Sequence, residues 1–413
     1  MKSFLYMPVL LFQRYYKALW LRVTLYALLS VTVAGGAAFL RGMIPDALTE
    51  RIGSDAVMPV LTILASSMLA VTTFSLNVMV SAHRGAANNT TPRIHRLLLA
   101  DTTTQSVLAT FIGAFVYALS TIILFRTTLY QEDAAVLVMG VTIVVVVLVI
   151  VAMLRWIEHL STLGSLDDVM RMSFDEAQRS LKRLNARPAL GGVPITAQTI
   201  LPSQVTDIPA PCSGYVQIIN MAELNTCAGE GGAIYVSAKP GTFVLEGQPL
   251  AQFGGQLSRN DIGHLAGCFV IGDQRTTEQD PEIGLVTLSE ISSKALSAGI
   301  NDPGTAIEVI ARVTTLIWDY ARHRPADLEP AFAHVFMADP SAADLIEAGF
   351  AGTARDGAGQ IEVVDSLGAA LTSLAQGPDA ATREAATAMA ARAASYATTK
   401  LTLTSEKAKI ETP

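Results

Sequence analysis

Charge is the scarcest commodity in this chain of 413 residues. Asp, Glu, Lys and Arg make up 16% of it, against about 25% in an ordinary soluble domain, while 51% of the residues are hydrophobic. Mean hydropathy is +0.40. That composition argues against a typical water-soluble enzyme. Cysteine is scarce as well: Cys212, Cys227 and Cys268 are too few for a disulfide scaffold, and their spacing fits no zinc template. No G-x-S-x-G elbow or phosphate-cradling loop occurs, and His264 and His323 have no partner identifiable from sequence. No catalytic residue, cofactor or metal site is therefore assigned, and an enzyme is the last of the readings.

The little charge there is falls unevenly. Residues 1–155 hold 11 Lys/Arg against 6 Asp/Glu, and residues 156–413 hold 18 against 30. The acidic second half offers no electrostatic footprint for nucleic acid. Within the first half, four stretches carry no Asp, Glu, Lys or Arg at all: 23–40, 56–83, 102–125 and 134–154. A helix needs about 20 apolar residues to cross the hydrocarbon core. Four transmembrane helices are expected, at about 19–40, 57–82, 103–125 and 134–155. Eight basic residues flank one face of this arrangement (Lys2, Arg14, Lys17, Arg22, Arg84, Arg93, Arg96, Arg155) and three the other (Arg41, Arg51, Arg126). The positive-inside rule puts both termini and the acidic half in the cytoplasm. The first apolar run is soon interrupted by Arg14 and Lys17 with Tyr15 and Tyr16, which reads as a retained interfacial segment rather than a cleaved signal peptide.

The apolar stretches differ in what they offer a partner. Thr62, Ser66, Thr73, Asn77 and Ser81 fall within about 100° of one another on a helical wheel, a single polar stripe. Gln105, Ala109, Gly113, Tyr117 and Thr121 form an i, i+4 row on the next span. Two readings compete. Polar and small residues can serve helix packing, or Ser66, Thr73, Asn77, Gln105 and Tyr117 can line a watery path through a homo-oligomer. The absence of intramembrane charge argues against a proton relay or charge-coupled transport. Between these spans, Arg93, Arg96 and Asp101 either anchor to lipid headgroups or couple the two halves.

In the second half, 156–187 reads as a helix continuing from the membrane, with Ser165 opening a capping-box-like start, followed by a Pro-rich link to about residue 204. Short Val/Ile/Tyr runs with Pro-Gly and Glu-Gly turns fill 205–255. They resemble the barrel-sandwich hybrid of biotinyl and lipoyl carrier domains. Lys239 precedes a turn proline instead of occupying a carrier hairpin, so a structural or binding barrel is expected and no attached cofactor. Residues 256–413 read as a helical domain. Asp302 before Pro303 is an N-cap followed by proline at the first helical position, opening a helix over 303–322. An alternative is that Arg275, Asp280, Asn301, Asp302 and Thr305 converge on one polar pocket for a small ligand or ion. Two or three helices are expected over 337–413, then a frayed tail after about Thr404.

Several of these segments together carry a family resemblance. Ser75-Leu-Asn77, Pro92-Arg93, Asp101 with Gln105 and Tyr117, Arg275-Thr-Thr-Glu-Gln-Asp280 and Ala295-Leu-Ser-x-x-Ile-Asn-Asp-Pro-x-Thr-Ala306 resemble the bacterial membrane proteins of domain of unknown function 2254. The chain departs from that pattern at Ala298 and Gly304. The resemblance implies an α+β membrane protein, spans first and a mixed domain after. Two functions are compatible with it: an oligomeric channel with a cytoplasmic regulatory domain, or a non-transporting sensor or scaffold anchored in the bilayer.

Overall fold

Where no water is available, every backbone amide has to bond inside its own segment, so long uncharged stretches become helices. Three do so here: α1 (Ser54–Asn89), α2 (Thr102–Arg126) and α3 (Ala134–Leu160). The computed structural model describes residues 53–89, 102–127, 134–160, 165–196, 199–229, 231–325 and 328–411, with Thr24, Leu28 and Thr32 helical. Among the described residues, three helices are long and apolar enough to cross a membrane. The expected first span at 19–40 lies, apart from those three residues, outside the described residues. The chain divides into two units, the apolar helices forming one and Val169–Pro413 the bulk of the other.

In the membrane unit, α1 contributes Val57, Leu61, Leu64 and Met68 to a buried core, the three-and-four spacing of one helix face. Phe111, Ala114, Tyr117 and Ala118 of α2 and Val138, Val149 and Ala152 of α3 complete it. The opposite side of α3 leaves Ile143, Val144, Val147, Leu148 and Leu154 exposed, as a lipid-facing surface would be.

The stretch 156–187, expected to continue helically from the membrane with a capped start at Ser165, belongs to two helices. α3 ends at Leu160, and α4 (Leu166–Ala186) starts where the Ser165 hydroxyl accepts a hydrogen bond from the Asp168 amide at 3.1 Å. An N-cap satisfies the free amides of a new helix start, which an uninterrupted helix would not have.

The second unit holds two sheets. β1 (Gly192–Pro194), β8 (Phe332–Met337), β4 (Ile234–Val236), β6 (Pro249–Gly254) and β2 (Val205–Pro209) lie side by side in that order, β8 parallel to both neighbours. β5 (Phe243–Val244), β3 (Gly214–Ile219) and β7 (Phe269–Gly272) form a three-stranded antiparallel sheet. Both sheets draw strands from outside 205–255, where a self-contained barrel-sandwich was expected. β1, β7 and β8 are recruited because the short strands alone leave Ile208, Val216, Ile234 and Leu250 uncovered; with them, all four are fully buried beside Val335 and Phe269.

Helices cover the rest: α5 (Met221–Ala228), α6 (Arg259–Ala266), α7 (Glu282–Ala295), α8 (Pro303–Arg322), α9 (Ala342–Asp356), α10 (Ile361–Ala375), α11 (Ala380–Lys400) and α12 (Thr404–Glu411). The region after 337 thus contains four helices, and the expected frayed tail carries α12. Small residues set the closest approaches. A Cβ on Gly284 of α7 would stand 2.6 Å from the Ala177 Cβ of α4, and one on Gly349 of α9 would stand 2.6 Å from Val313 of α8. Thr353 of α9 donates to Ser292 of α7 at 2.8 Å inside this packing.

Candidate functional site

The segment between β7 and α7 is tied to its surroundings by ion pairs and side-chain hydrogen bonds. Arg275 holds Asp280 in a two-point pair, Nε to Oδ2 at 2.7 Å and Nη2 to Oδ1 at 3.0 Å. The Glu282 amide donates to the same Oδ1 at 3.1 Å, and the Glu282 carboxylate bridges Arg275 (3.3 Å) and Lys239 (2.9 Å). Asp280 is 1% exposed. Burial pushes its carboxyl above the usual carboxylate range, against the opposing pull of the Arg275 guanidinium. Burial works against charge on Arg275 too, but its bonds to Asp280 and Glu282 outweigh that and raise its pKa.

The turn Lys239-Pro240-Gly241-Thr242, closed by the Thr242 amide on the Lys239 carbonyl at 3.0 Å, is pressed onto this pair. Gly241 has φ +89° and a Cβ there would lie 2.3 Å from an Asp280 oxygen, so both conformation and space require glycine. Lys239 joins the ion network, pairing with Glu282 at 2.9 Å and Asp344 at 3.7 Å.

α4 and β3 grip the same loop from the other side. Ser180 donates to the Asp280 carbonyl at 3.2 Å, and Arg183 to the Thr277 carbonyl at 2.8 Å. The Gln279 side chain pairs with both backbone groups of Ile219, accepting at 2.8 Å and donating at 3.1 Å. Between these grips lies a cleft of about 670 Å³. Leu184, Met221 and Phe332 give it apolar walls, and Arg183, Arg187 and Glu278 edge it. Its size lies within the range of small-ligand sites.

The turn between α7 and α8 is built separately. Asp302 accepts from the Thr305 amide (3.1 Å) and hydroxyl (2.6 Å), and those bonds hold its carboxyl below the usual range. Asn301 sits in the left-handed region at φ +52°, which its short amide side chain tolerates, and accepts from Gln360 at 2.9 Å. The five residues of the alternative polar pocket fall into two groups. Arg275 and Asp280 precede α7, whereas Asn301, Asp302 and Thr305 follow it. The 14 residues of α7 separate them by about 21 Å of helical rise.

In the membrane unit the sequence candidates also part company. Ser66, Thr73 and Asn77 are exposed. The hydroxyls of Ser66 and Thr73 bond carbonyls of their own helix, Thr62 and Leu69, each at 2.9 Å. Tyr117 is buried and its hydroxyl meets Thr142 of α3 at 3.0 Å, a packing contact; Gln105 is buried too. Arg93, Arg96 and Asp101 lie outside the described residues.

One constellation was not visible in sequence. Glu223 and Cys227, four apart on α5, meet His264 of α6, with Nε2 of His264 3.2 Å from the Glu223 carboxylate. The i, i+4 spacing was the available signal, but nothing in the sequence pointed to the helix 40 residues on.

These features define a membrane protein, with candidate spans beside a mixed α+β unit that carries an ion-braced cleft. The particular family follows from comparison. The family model described as "Predicted membrane protein (DUF2254)" matches residues 16–373, and the chain belongs to that family. It is similar to uncharacterised proteins of Mycobacterium bovis (strain ATCC BAA-935 / AF2122/97) and Mycobacterium tuberculosis (strain ATCC 25618 / H37Rv), each 22% identical over 272 residues. Those matches cover 62% of this chain and 51% of each relative, so the chain spans about half the length of the curated relatives it matches. No solved structure matches it.

Proposed function

We propose that copies of this protein associate in a bacterial inner membrane through the polar face of α1 and enclose a permeation pathway, with the second unit acting in the cytoplasm as its regulatory part. One observation carries this reading: α1 gives an apolar row to the buried core and leaves its polar stripe exposed, beside exposed Ile63, Leu69 and Phe74. Thr62, Ser66, Thr73, Asn77 and Ser81 are all exposed, whereas Val57, Leu61, Leu64 and Met68 are buried. Serine and threonine can face lipid because their hydroxyls bond the preceding turn. An asparagine amide cannot satisfy itself that way and favours water or another helix. The second unit's acidity and the basic flanks of the spans support the cytoplasmic side.

Reconstituted in liposomes, the protein should run as an oligomer and pass ions or small solutes above the leak of empty vesicles, and Asn77→Leu should change that flux. A folded, oligomeric preparation no leakier than empty vesicles overturns the reading.

The cleft favours a second reading, a non-transporting sensor whose spans only anchor it. That reading expects a small molecule to co-purify, to be released on denaturation and identified by mass spectrometry, and to be lost in Met221→Trp, which fills the cleft. Absence of any such molecule together with measurable flux would leave the first reading standing alone.

A further inference from the structure

We infer that Glu223, Cys227 and His264 form a binding site for a transition-metal ion of the zinc class. Their three donor atoms lie within 4.8 Å of one another. Around a tetrahedral zinc ion, bonds of about 2.0–2.3 Å place neighbouring donors about 3.3–3.6 Å apart. The Glu223–His264 pair already stands at 3.2 Å, so it is the thiolate, within 4.8 Å of both, that has to draw closer.

The donors come from two short helices that are each capped at the N-terminus. The Asn220 side chain caps α5 by accepting from the Glu223 amide at 3.2 Å, and the Ser258 side chain caps α6 by accepting from the Asp261 amide at 3.3 Å. Leu224 and Ala228 of α5, with Leu265 and Ala266 of α6, are buried in the sheet core. The ligand-bearing faces therefore have little freedom to part. Immediately after α6, the Cys268 thiol donates to the His264 carbonyl at 3.6 Å, steadying the backbone that carries the imidazole. Supporting contacts of this kind tune a metal site without ligating it.

The donor chemistry selects the ion. A thiolate with an imidazole suits zinc and its neighbours, while magnesium and calcium demand all-oxygen shells. Glu223 and the thiolate supply two negative charges, matching a divalent cation. Three protein ligands leave a fourth position open, and with the His264 side chain 60% exposed the ion has a way in. Nothing in this assignment depends on transport or on the cleft.

The test uses the full-length chain in detergent, carrying Cys212→Ser so that only Cys227 and Cys268 remain as thiols. Titrated metal-free with Co2+, it should develop a near-ultraviolet thiolate-to-cobalt charge-transfer band with tetrahedral visible bands, saturating at one equivalent and bleached by Zn2+. Cys227→Ser should abolish the charge-transfer band and Cys268→Ser should keep it. His264→Asn should weaken Zn2+ binding by more than the 10–100-fold typical of outer-sphere changes. Should Cys227→Ser fail to fold, alkylation of the unsubstituted site replaces it: Zn2+ should slow modification of Cys227, located by peptide mapping, at least tenfold. No charge-transfer band, or a Cys227 alkylation rate indifferent to Zn2+, overturns the assignment.

Discussion

The two units differ in how far their polar side chains reach for a partner. In the membrane unit, hydroxyls mostly bond the carbonyl one turn back on their own helix, as Thr62, Ser66, Thr72 and Thr73 do. The bond from Tyr117 to Thr142 crosses between helices. In the second unit some hydroxyls do the same, as Ser173 and Thr287 do, but other bonds reach far along the chain: Asn185 to Tyr320, Ala189 to Asp339, Ser180 to Asp280. A self-satisfied hydroxyl is nearly free to be deleted. A group held by a distant partner is not, because its loss strands that partner in a dry interior. The membrane unit should therefore tolerate polar substitution and the second unit should not.

The largest effect expected from that contrast is at the ion network. Arg275→Met strands Asp280 at 1% exposure and should destabilise the unit by about 3–5 kcal/mol, the usual loss when one partner of a buried pair is removed. Adding Asp280→Leu should recover much of this, since the stranded charge goes with it. Urea unfolding of the full chain in detergent, followed through Trp318 on α8, reads both. If the single and double variants unfold alike, burial of the pair is not what braces the loop.

Next is the contact between α4 and α7. Gly284→Ala puts a methyl group 2.6 Å from the Ala177 Cβ and 2.7 Å from its Cα, a backbone atom that cannot swing aside. Overpacking of this sort destabilises by about 1–3 kcal/mol. The same assay should show that loss relieved in part by Ala177→Gly; an unchanged midpoint for Gly284→Ala would mean that the two helices slide apart at no cost.

How much of this was legible beforehand follows the same divide. The membrane helices are bounded in the sequence by the charges that end each apolar run, such as Asp55, Arg126 and Asp133 flanking the stretches that became α1, α2 and α3. The α8 start was equally plain, because Asp302 and Pro303 act locally. Long-range pairing left no such mark. β8 runs parallel between β1 and β4 although about 140 residues separate it from β1. Ala189 and Leu190 adopt φ +47° and +55°, a left-handed excursion that neither residue type signals; the Asp339 side chain stabilises it by accepting from the Ala189 amide at 2.7 Å. The site candidates show both cases. Asp302 before Pro303 is legible as a cap, whereas the polar pocket would need Arg275 and Asp280 at the other end of α7 from where they are. Glu223, Cys227 and His264 meet only because both α5 and α6 pack on the same sheet core.

The membrane half of the contrast is sharpened by Tyr117→Phe, which deletes the crossing hydrogen bond and keeps the ring in its place. Interhelical bonds in bilayers are worth about 0.6 kcal/mol on average, so the variant should be far less affected than Arg275→Met. Thermal unfolding in matched detergent compares the two. A larger loss at Tyr117 than at Arg275 would reverse the assignment of which unit depends on its polar contacts.

The smallest expected effect concerns acid. The Asp302 carboxyl is held below its ordinary value of about 3.9 by the hydroxyl and amide of Thr305. A lowered folded-state pKa gives stability that is fully present above the unfolded value and lost as pH falls through the folded one. Asp302 therefore contributes to acid unfolding only below about pH 4. Asp344 and Asp356 are shifted in the same direction, Asp344 against the pull of burial by the Ser341 amide and Lys239, Asp356 chiefly by Arg355. Asp280 is shifted the other way by burial, so it favours protonation in the folded state and works against that acid loss. Asp302→Asn isolates one member of this set, because asparagine caps a helix about as well as aspartate but carries no titrating group. The variant should match the parent from pH 5 to 8 and show a shallower decline below pH 4, measured as the urea midpoint against pH. Identical acid limbs would mean that the charge of Asp302 contributes nothing and that the cap works through hydrogen-bond geometry alone.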